Sequence, residues 1–115
     1  MKTHTMPTGK KAFDAIRAKQ KTIEARMYYP ERREIQPGDQ INLWCDEGGR
    51  PDDIVKIEVV KLVAAPTPEE LIKLIDVRDT EYSDNESWVQ AMRDFYPDAD
   101  AMNKNGVVAM YFRHI

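Results

Sequence analysis

Cysteine and histidine are scarce in this chain of 115 residues. It contains one cysteine, Cys45, which has no partner for an internal disulfide, and two histidines, His4 and His114, which lie near the two ends. No combination of these residues has the spacing of a zinc site or another protein metal site. The sequence therefore predicts no metal and no other cofactor.

Long apolar runs are also absent. No segment approaches the roughly 18 apolar residues that a transmembrane helix needs, and the first residues, MKTHTMPTGKKAF, lack the hydrophobic stretch of a secretory signal. We therefore expect a cytoplasmic protein with no membrane partner. With 42% hydrophobic and 32% charged residues, the composition is that of a globular protein, and the length predicts a single domain, residues 1–115.

Positive charge is concentrated near the N-terminus. Residues 1–33 hold nine Lys or Arg and three Asp or Glu, whereas residues 34–115 hold eight and seventeen, which together give the net charge of −3. A dipolar protein of this kind can present a basic face to phosphate while its acidic remainder limits nonspecific binding to nucleic acid. The alternative is that the charge blocks are only solvated surface.

The periodicity of the sequence predicts an α+β fold. Its strands are separated mostly by turns rather than by helices, which favours a mostly antiparallel, partly closed sheet and hence a small β-barrel. The predicted caps of the three helices are Thr8, Thr67 and Ser83 in chain order, and the last helix is predicted to carry an apolar stripe of Trp88, Ala91, Met92 and Phe95. The predicted order is a helix over 10–19, the strand TIEAR, an irregular segment over 28–36, the turn QPGD, the strand QINLW, the loop CDEGGRPDD, the strand IVKIEVVKLVAA, helices in TPEELIKLI and SDNESWVQAMRDFYP, the loop DADAMNKN and the strand GVVAMYF.

Three ionisable residues are candidates for chemistry. The alternation in TIEAR places Glu24 on the same strand face as Thr22 and Arg26, close to Lys21, and Glu81 lies in a later polar segment. A Lys beside carboxylates can take part in proton transfer, and a Glu can act as a base or orient an amine. The alternative is an ordinary surface pair and a solvated loop residue. Aromatic side chains could stack on a base or pack in the core, namely Tyr28, Tyr29, Trp44 and Tyr96.

The segment AIRAKQKTIEARMYYPERREIQPGDQINLW resembles the signature of ASCH domains, the activating-signal-cointegrator homology family. That signature has a helix leading into a Lys-Thr-Ile-Glu-x-Arg strand, followed by a Gly-Asp turn that opens the next strand. The segments TPEELIKLI and GVVAMYFRHI look like the short helix and the closing strand of the family. The resemblance implies a small β-barrel similar to PUA domains, flanked by helices, with a cleft that takes RNA or a nucleotide.

One branch of the ASCH family consists of small bacterial amidohydrolases that deacetylate N(4)-acetylcytidine with a Lys, a Thr and a Glu. The resemblance places Lys21 and Glu81 at two of these positions, but Glu24 stands where the branch has its Thr. This replacement removes the hydroxyl that a covalent route needs. Thr22 lies two residues before Glu24 on the predicted strand, about 6.6 Å away, which is too far for its hydroxyl simply to replace the missing one.

We therefore hypothesise an RNA-binding or nucleotide-binding domain. In this hypothesis Glu24 and Glu81 accept hydrogen bonds from the exocyclic amine of a base or modified nucleoside, and Lys21 and Arg26 favour the ionised form of Glu24. The first alternative is a hydrolase, either an N(4)-acetylcytidine amidohydrolase or a ribonuclease, that uses Lys21 with Glu24 and Glu81 as catalytic residues. A protein-interaction adaptor is the third possibility. The predicted ligand-binding residues at the rim of the cleft are Lys19, Thr22, Arg26, Arg32 and Arg33.

Overall fold

A computed structural model describes residues 1–48 and 53–115. The predicted loop CDEGGRPDD lies partly outside these residues. The strands are β1 (Thr3–Thr8), β2 (Ile23–Met27), β3 (Gln40–Cys45), β4 (Ile54–Ala65) and β5 (Val107–His114), the α-helices are α1 (Lys10–Arg17), α2 (Pro68–Leu71), α3 (Asn85–Phe95) and α4 (Ala99–Asn105), and two short 3-10 helices span Pro30–Glu34 and Val77–Asp79.

The strands form one mixed sheet in the order β1-β3-β4-β5-β2, which confirms the predicted α+β class. All neighbouring pairs are antiparallel except β1 and β3, which are parallel. The register of β4 against β5 shifts between Val59 and Lys61, and such a bulge bends a strand. The sheet is a half-barrel, and the Arg26 guanidinium on β2 donates to the Pro7 carbonyl on β1, so the two edge strands lie close together.

Both faces of the sheet are covered, as the alternate side chains of β5 show by joining two different hydrophobic clusters. Met110 and Phe112 join a cluster that includes the apolar face of α1, whereas Val107 and Ala109 join a cluster with Trp88 of α3 and side chains of α2 and α4. The apolar run GVVAMYF, which predicted this strand, is therefore apolar at successive positions because both faces of the strand are covered. Helices cover the two faces of the sheet, and the sheet positions them relative to one another.

Two elements were missed in the sequence. β1 was not predicted because THTMPT contains Pro7 and few apolar residues, and it is held instead by partners distant in the chain, above all by its parallel pairing with β3. The segment DADAMNKN was predicted to be a loop but contains the whole of α4 and its cap. The Asp98 carboxylate accepts from the Ala101 amide at 3.1 Å.

The predicted N-caps of α1 and α3 were wrong. Thr8 is the last residue of β1, and the residue that precedes α1 is Gly9, which has no side chain to form a cap. Asp84 rather than Ser83 caps α3, with the Ser87 amide donating to its carboxylate at 2.8 Å. In contrast, Thr67 caps α2 as predicted, since it accepts from the Glu70 amide at 3.2 Å.

Asp39 ties β1 to the turn that opens β3. Its buried carboxylate accepts from the His4 ring at 2.9 Å, the Lys2 amide at 3.0 Å and the Gln36 amide at 3.0 Å. These hydrogen bonds, that of His4 first, lower the pKa of Asp39 to about 2. Within the two described ranges no helix has the length and apolar character to cross a membrane.

Candidate functional site

A cavity of about 220 Å³ lies where β2, α3 and the start of α1 meet. Glu24, Ala25 and Arg26 of β2 contribute to one side and Trp88 of α3 to another. Thr8, at the end of β1, completes its lining near the gap between the two edge strands. The cavity therefore opens beside the place where the half-barrel is not closed by backbone hydrogen bonds.

Four charged side chains form the floor of this cavity. The Lys21 ammonium lies 2.6 Å from Glu81 Oε1 and 4.0 Å from Glu24 Oε1. Arg26 Nε lies 3.7 Å from Glu24 Oε1. Lys21, Glu24 and Arg26 are only 2%, 5% and 6% exposed. We call these four residues the charged floor: two cations and two anions, removed from bulk water as two opposite pairs.

Backbone hydrogen bonds bring Glu81 to Lys21 across 60 positions of sequence. The Thr22 amide donates to the Asp79 carbonyl at 2.8 Å, which attaches the segment before α3 to the start of β2. The Thr80 hydroxyl then donates to the Val77 carbonyl at 2.6 Å and accepts from the Tyr82 amide at 3.1 Å. This turn is therefore held from both sides, and it directs the Glu81 carboxylate at the Lys21 ammonium.

The Glu24 carboxylate is only weakly bonded. Its Oε2 accepts from the Thr8 hydroxyl at 3.5 Å, and no residue of the described ranges donates a hydrogen bond to its Oε1. Among those residues every fully buried side-chain oxygen or nitrogen has a partner. Oε1 is therefore reached from the cavity, where it can accept a hydrogen bond from a ligand.

Aromatic side chains form a wall above the charged floor. Trp88 is 2% exposed and packs with the core, whereas Phe95, at the end of the same helix, is 67% exposed. The rings of Phe95 and Tyr96 meet edge to face with centroids 5.0 Å apart. Burial and, after it, the nearby Glu81 and Asp94 carboxylates raise the pKa of Tyr82, so its hydroxyl stays protonated to a higher pH than that of a free tyrosine.

The start of α1 forms the rim opposite this wall. The Lys10 amide, at the N-terminus of α1, donates to Glu47 Oε2 at 2.8 Å. The Lys11 ammonium lies 4.1 Å from the centre of the Tyr82 ring, a cation–π contact between α1 and the segment before α3. The rim thus carries both signs of charge.

The structure brings together the three predicted catalytic residues, Lys21, Glu24 and Glu81, and one predicted binding residue, Arg26. Arg32 lies next to the cavity rather than in it, since its guanidinium donates to the hydroxyl of the lining residue Tyr96 at 3.3 Å.

The other three predicted binding residues lie outside the cavity lining. Lys19 follows the end of α1 with φ of 61°, and Thr22 is exposed beside the floor. Arg33 donates to the Asn105 carbonyl at 3.0 Å and lines a different concavity. Of the four aromatic candidates for stacking, Tyr96 alone is among the described residues that line the cavity of the charged floor.

Sequence reasoning missed Thr8 and Lys11. Thr8 has no signal in the sequence, because β1 was not predicted and nothing else relates this residue to Glu24. The stripe of α3 that includes Trp88, Met92 and Phe95 was predicted, and the strong exposure of Phe95 marks where the stripe passes from core to cavity wall. Among the residues described, no group of three or more His, Cys, Asp or Glu side chains has a metal-binding arrangement.

The likeness of this chain to known proteins is structural. No family model and no curated protein sequence matches it. The hypothetical protein PH0355 has 29% sequence identity and a TM-score of 0.81, with all of both chains covered. Protein PF0455 from Pyrococcus furiosus has 26% identity and a TM-score of 0.72, with 100% of this chain and 98% of that one covered.

Two further neighbours carry a family name. The ASCH protein from Zymomonas mobilis has 15% identity and a TM-score of 0.65, with 95% of this chain and 65% of that one covered. The ASCH domain from Lactobacillus crispatus has 13% identity and a TM-score of 0.67, with 98% and 79% covered. At these identities the likeness concerns the fold, and it confirms the fold that the sequence resemblance implies.

Proposed function

We propose that this protein, whose fold is that of ASCH domains, binds a base of RNA or of a nucleotide in the cavity above the charged floor. The observation that carries the proposal is the buried Glu24 carboxylate, whose Oε1 faces the cavity without a hydrogen-bond donor from the described residues. A base with an exocyclic amine supplies such a donor.

The charged floor offers hydrogen bonds of both kinds. Glu24 accepts, and the Lys21 ammonium, which has three N–H donors, uses one of them on Glu81 at 2.6 Å. The edge of a base carries both donors and acceptors, so it complements a site with an adjacent carboxylate and ammonium. A phosphate alone would not use the carboxylates, which repel it.

Arg26 has a positioning role in this proposal. One end of its guanidinium donates to the Pro7 carbonyl at 2.5 Å, and its Nε lies 3.7 Å from Glu24 Oε1. It therefore holds β2 to β1 and places a positive charge beside the Glu24 carboxylate. The aromatic wall supplies ring faces on which the bound base can stack, above all the exposed Phe95.

The proposal is tested with Glu24→Gln, which keeps the shape of the side chain and replaces a carboxylate with an amide. We expect the affinity for a nucleotide whose base has an exocyclic amine to fall about tenfold or more, since a hydrogen bond to a charged group contributes about 1.5–3 kcal/mol. The measurement is a calorimetric or NMR titration with a panel of nucleotides and short RNAs.

Glu58→Gln is the matched control. Glu58 on β4 pairs with Arg113 at 2.8 Å outside the cavity lining, so the same change of charge there should leave nucleotide affinity unchanged. Equal affinities for wild type and Glu24→Gln would contradict the proposal. So would ligand-induced shifts that map away from Lys21, Glu24 and Glu81.

A hydrolase is the second candidate, and the Thr8 hydroxyl favours it. Glu24 stands where the amidohydrolases have their Thr, so that hydroxyl is missing from β2. The cavity nevertheless contains a hydroxyl on β1, that of Thr8, which lies 3.5 Å from Glu24 Oε2. In this scheme Thr8 attacks the acetyl carbon, Glu24 takes the hydroxyl proton and returns it to the departing amine, and Lys21 stabilises the oxyanion. Water then cleaves the acyl-threonine.

Incubation with N(4)-acetylcytidine separates the two candidates. If the protein only binds, cytidine release by wild type equals that of a Glu81→Ala control. Release above that control, reduced about 100-fold or more in Thr8→Val, would establish the hydrolase with Thr8 as nucleophile. Release that Thr8→Val leaves intact would instead assign the attack to water activated by Glu24 or Glu81.

A further inference from the structure

A second concavity, of about 360 Å³, lies beyond the 3-10 helix Pro30–Glu34. Its lining combines Tyr28 and Arg33 with the connection from β4 to α2 and the end of α4. Two cations, Arg33 and Lys104, line it, and no acidic residue of the described ranges does. In an acidic protein this is a local concentration of positive charge.

Two Arg–Tyr pairs, adjacent in sequence, lie between the two concavities. Tyr96 lines the first cavity, and its hydroxyl accepts from Arg32 at 3.3 Å. The Arg32 guanidinium lies 5.1 Å from the centre of the Tyr29 ring. The next pair, Arg33 over Tyr28 at 4.1 Å, lines the second concavity. We call Tyr96, Arg32, Tyr29, Arg33 and Tyr28 the Arg–Tyr track.

We propose that the Arg–Tyr track binds a single-stranded nucleic acid of several nucleotides, one base of which occupies the cavity of the charged floor. This inference rests on the proposed function and narrows its ligand class from free nucleosides to strands. Single-strand sites combine cations that follow the phosphates with aromatic rings on which bases stack. The track alternates these two kinds of side chain from one concavity to the other.

The geometry of the 3-10 helix separates its charges. Glu31 and Glu34 are three residues apart, so they share one side of a helix with three residues per turn. Arg32 and Arg33 lie on the other sides, where they contact Tyr96 and the Asn105 carbonyl. The four charges of PERRE therefore do not cancel locally, and the cations border the two concavities.

The test is a titration with oligonucleotides of increasing length, from a mononucleotide to an octanucleotide, as RNA and as DNA. For wild type we expect affinity to rise with length by about tenfold or more. The double variant Arg33→Gln with Lys104→Gln should lose most of this gain and still bind the mononucleotide as wild type does. The slope of log affinity against log salt should become shallower by about 0.7 for each phosphate that the variant no longer neutralises.

Arg17→Gln with Lys61→Gln is the matched double variant. Arg17 lies over Phe13 at 5.0 Å and Lys61 over Tyr111 at 4.4 Å, so the same two cation types are removed from cation–π pairs outside both concavities. It should bind every length as wild type does. An equal loss of affinity in this control would mean that the loss comes from the change of net charge, and it would contradict binding of the strand by the Arg–Tyr track.

Three other results would also overturn this inference. Affinity of the wild type that does not depend on length would show that only one nucleotide is bound, and it would leave the proposed function intact. Octanucleotide-induced NMR shifts of the wild type that avoid Tyr28 and Arg33 would place the strand elsewhere. An acidic peptide that displaces the octanucleotide completely would assign the second concavity to a protein partner. Among strands that the track binds, tighter binding of RNA than of DNA would identify the natural strand as RNA.

Discussion

Lys21→Met is expected to lower the free energy of unfolding by about 3–5 kcal/mol, measured by urea denaturation. The Lys21 ammonium lies 2.6 Å from the Glu81 carboxylate and is almost completely buried. Without it, the charged floor keeps two carboxylates and a single guanidinium. An unpaired charge that remains out of water is the costly result of such a substitution, more than the missing attraction itself.

A second substitution should reverse most of this loss. In Lys21→Met with Glu81→Met, the remaining floor residues are Arg26 and Glu24, an opposite pair 3.7 Å apart. Because well-packed apolar groups often replace a buried ion pair at no cost, we expect the double variant to recover to within about 1 kcal/mol of wild type. It should nevertheless bind no nucleotide, which would mean that the pair serves binding rather than stability.

The exposed pair of Lys10 and Asp14 provides the comparison. These side chains are 2.9 Å apart but both largely exposed, so Lys10→Met should change stability little. If the double variant at positions 21 and 81 is less stable than Lys21→Met alone, the pairing described for the charged floor is wrong. A loss for Lys21→Met no larger than for Lys10→Met would contradict its burial.

Gly106→Ala is expected to lower the free energy of unfolding by about 3 kcal/mol or more, again measured by urea denaturation. Gly106 joins α4 to β5 with φ of 69° and ψ of −167°, a backbone conformation that is essentially restricted to glycine. A Cβ at this position would also lie 2.9 Å from the Ala65 carbonyl oxygen. That oxygen belongs to the sheet and cannot move as a flexible side chain does.

Gly38→Ala separates the two causes. Gly38 has φ of 94° in the turn before β3, but a Cβ there has no neighbour within 4 Å. It should therefore lose only the conformational part, about 1–2 kcal/mol. Equal losses for both variants would mean that the close approach to Ala65 costs nothing. The Gly106 variant should also disturb the second concavity, since the Gly106 carbonyl accepts from the Tyr28 amide at 2.9 Å.

Local patterns were sufficient for much of the fold. The long β-branched strand β4 was predicted with its observed bounds, and the alternation in TIEAR correctly indicated β2. The failures were β1 and α4, because their sequences have weak periodicity. β1 is stabilised by its pairing with the distant strand β3, and α4 by the Asp98 cap together with the packing of Met102 in the core. The helix and strand propensities of single residues predict short elements of this kind poorly, because tertiary contacts override them.

The candidate site divides in the same way. Glu24 and Arg26 lie on β2 and Lys21 lies two residues before it, so their proximity follows from the sequence and strand geometry alone. Glu81 was assigned from the family resemblance, and no local pattern relates it to Lys21. Thr8 was missed altogether, because a hydroxyl on an unpredicted strand has no periodicity that leads to Glu24.

The amino-acid sequence by itself determined the α+β class, the basic N-terminal third and the cluster of charges on β2, because each depends on residues that are close together in the chain. Only the tertiary structure decided that these charges are buried, that Glu81 completes them and that Arg32 and Arg33 lie on a path between two concavities. The physical reason is that burial and opposite-charge pairing depend on contacts between residues far apart in the chain. The strand order makes β1 and β2 the two edges of the half-barrel, and the hydrogen bond from Thr22 to Asp79 brings the segment of Glu81 to the start of β2.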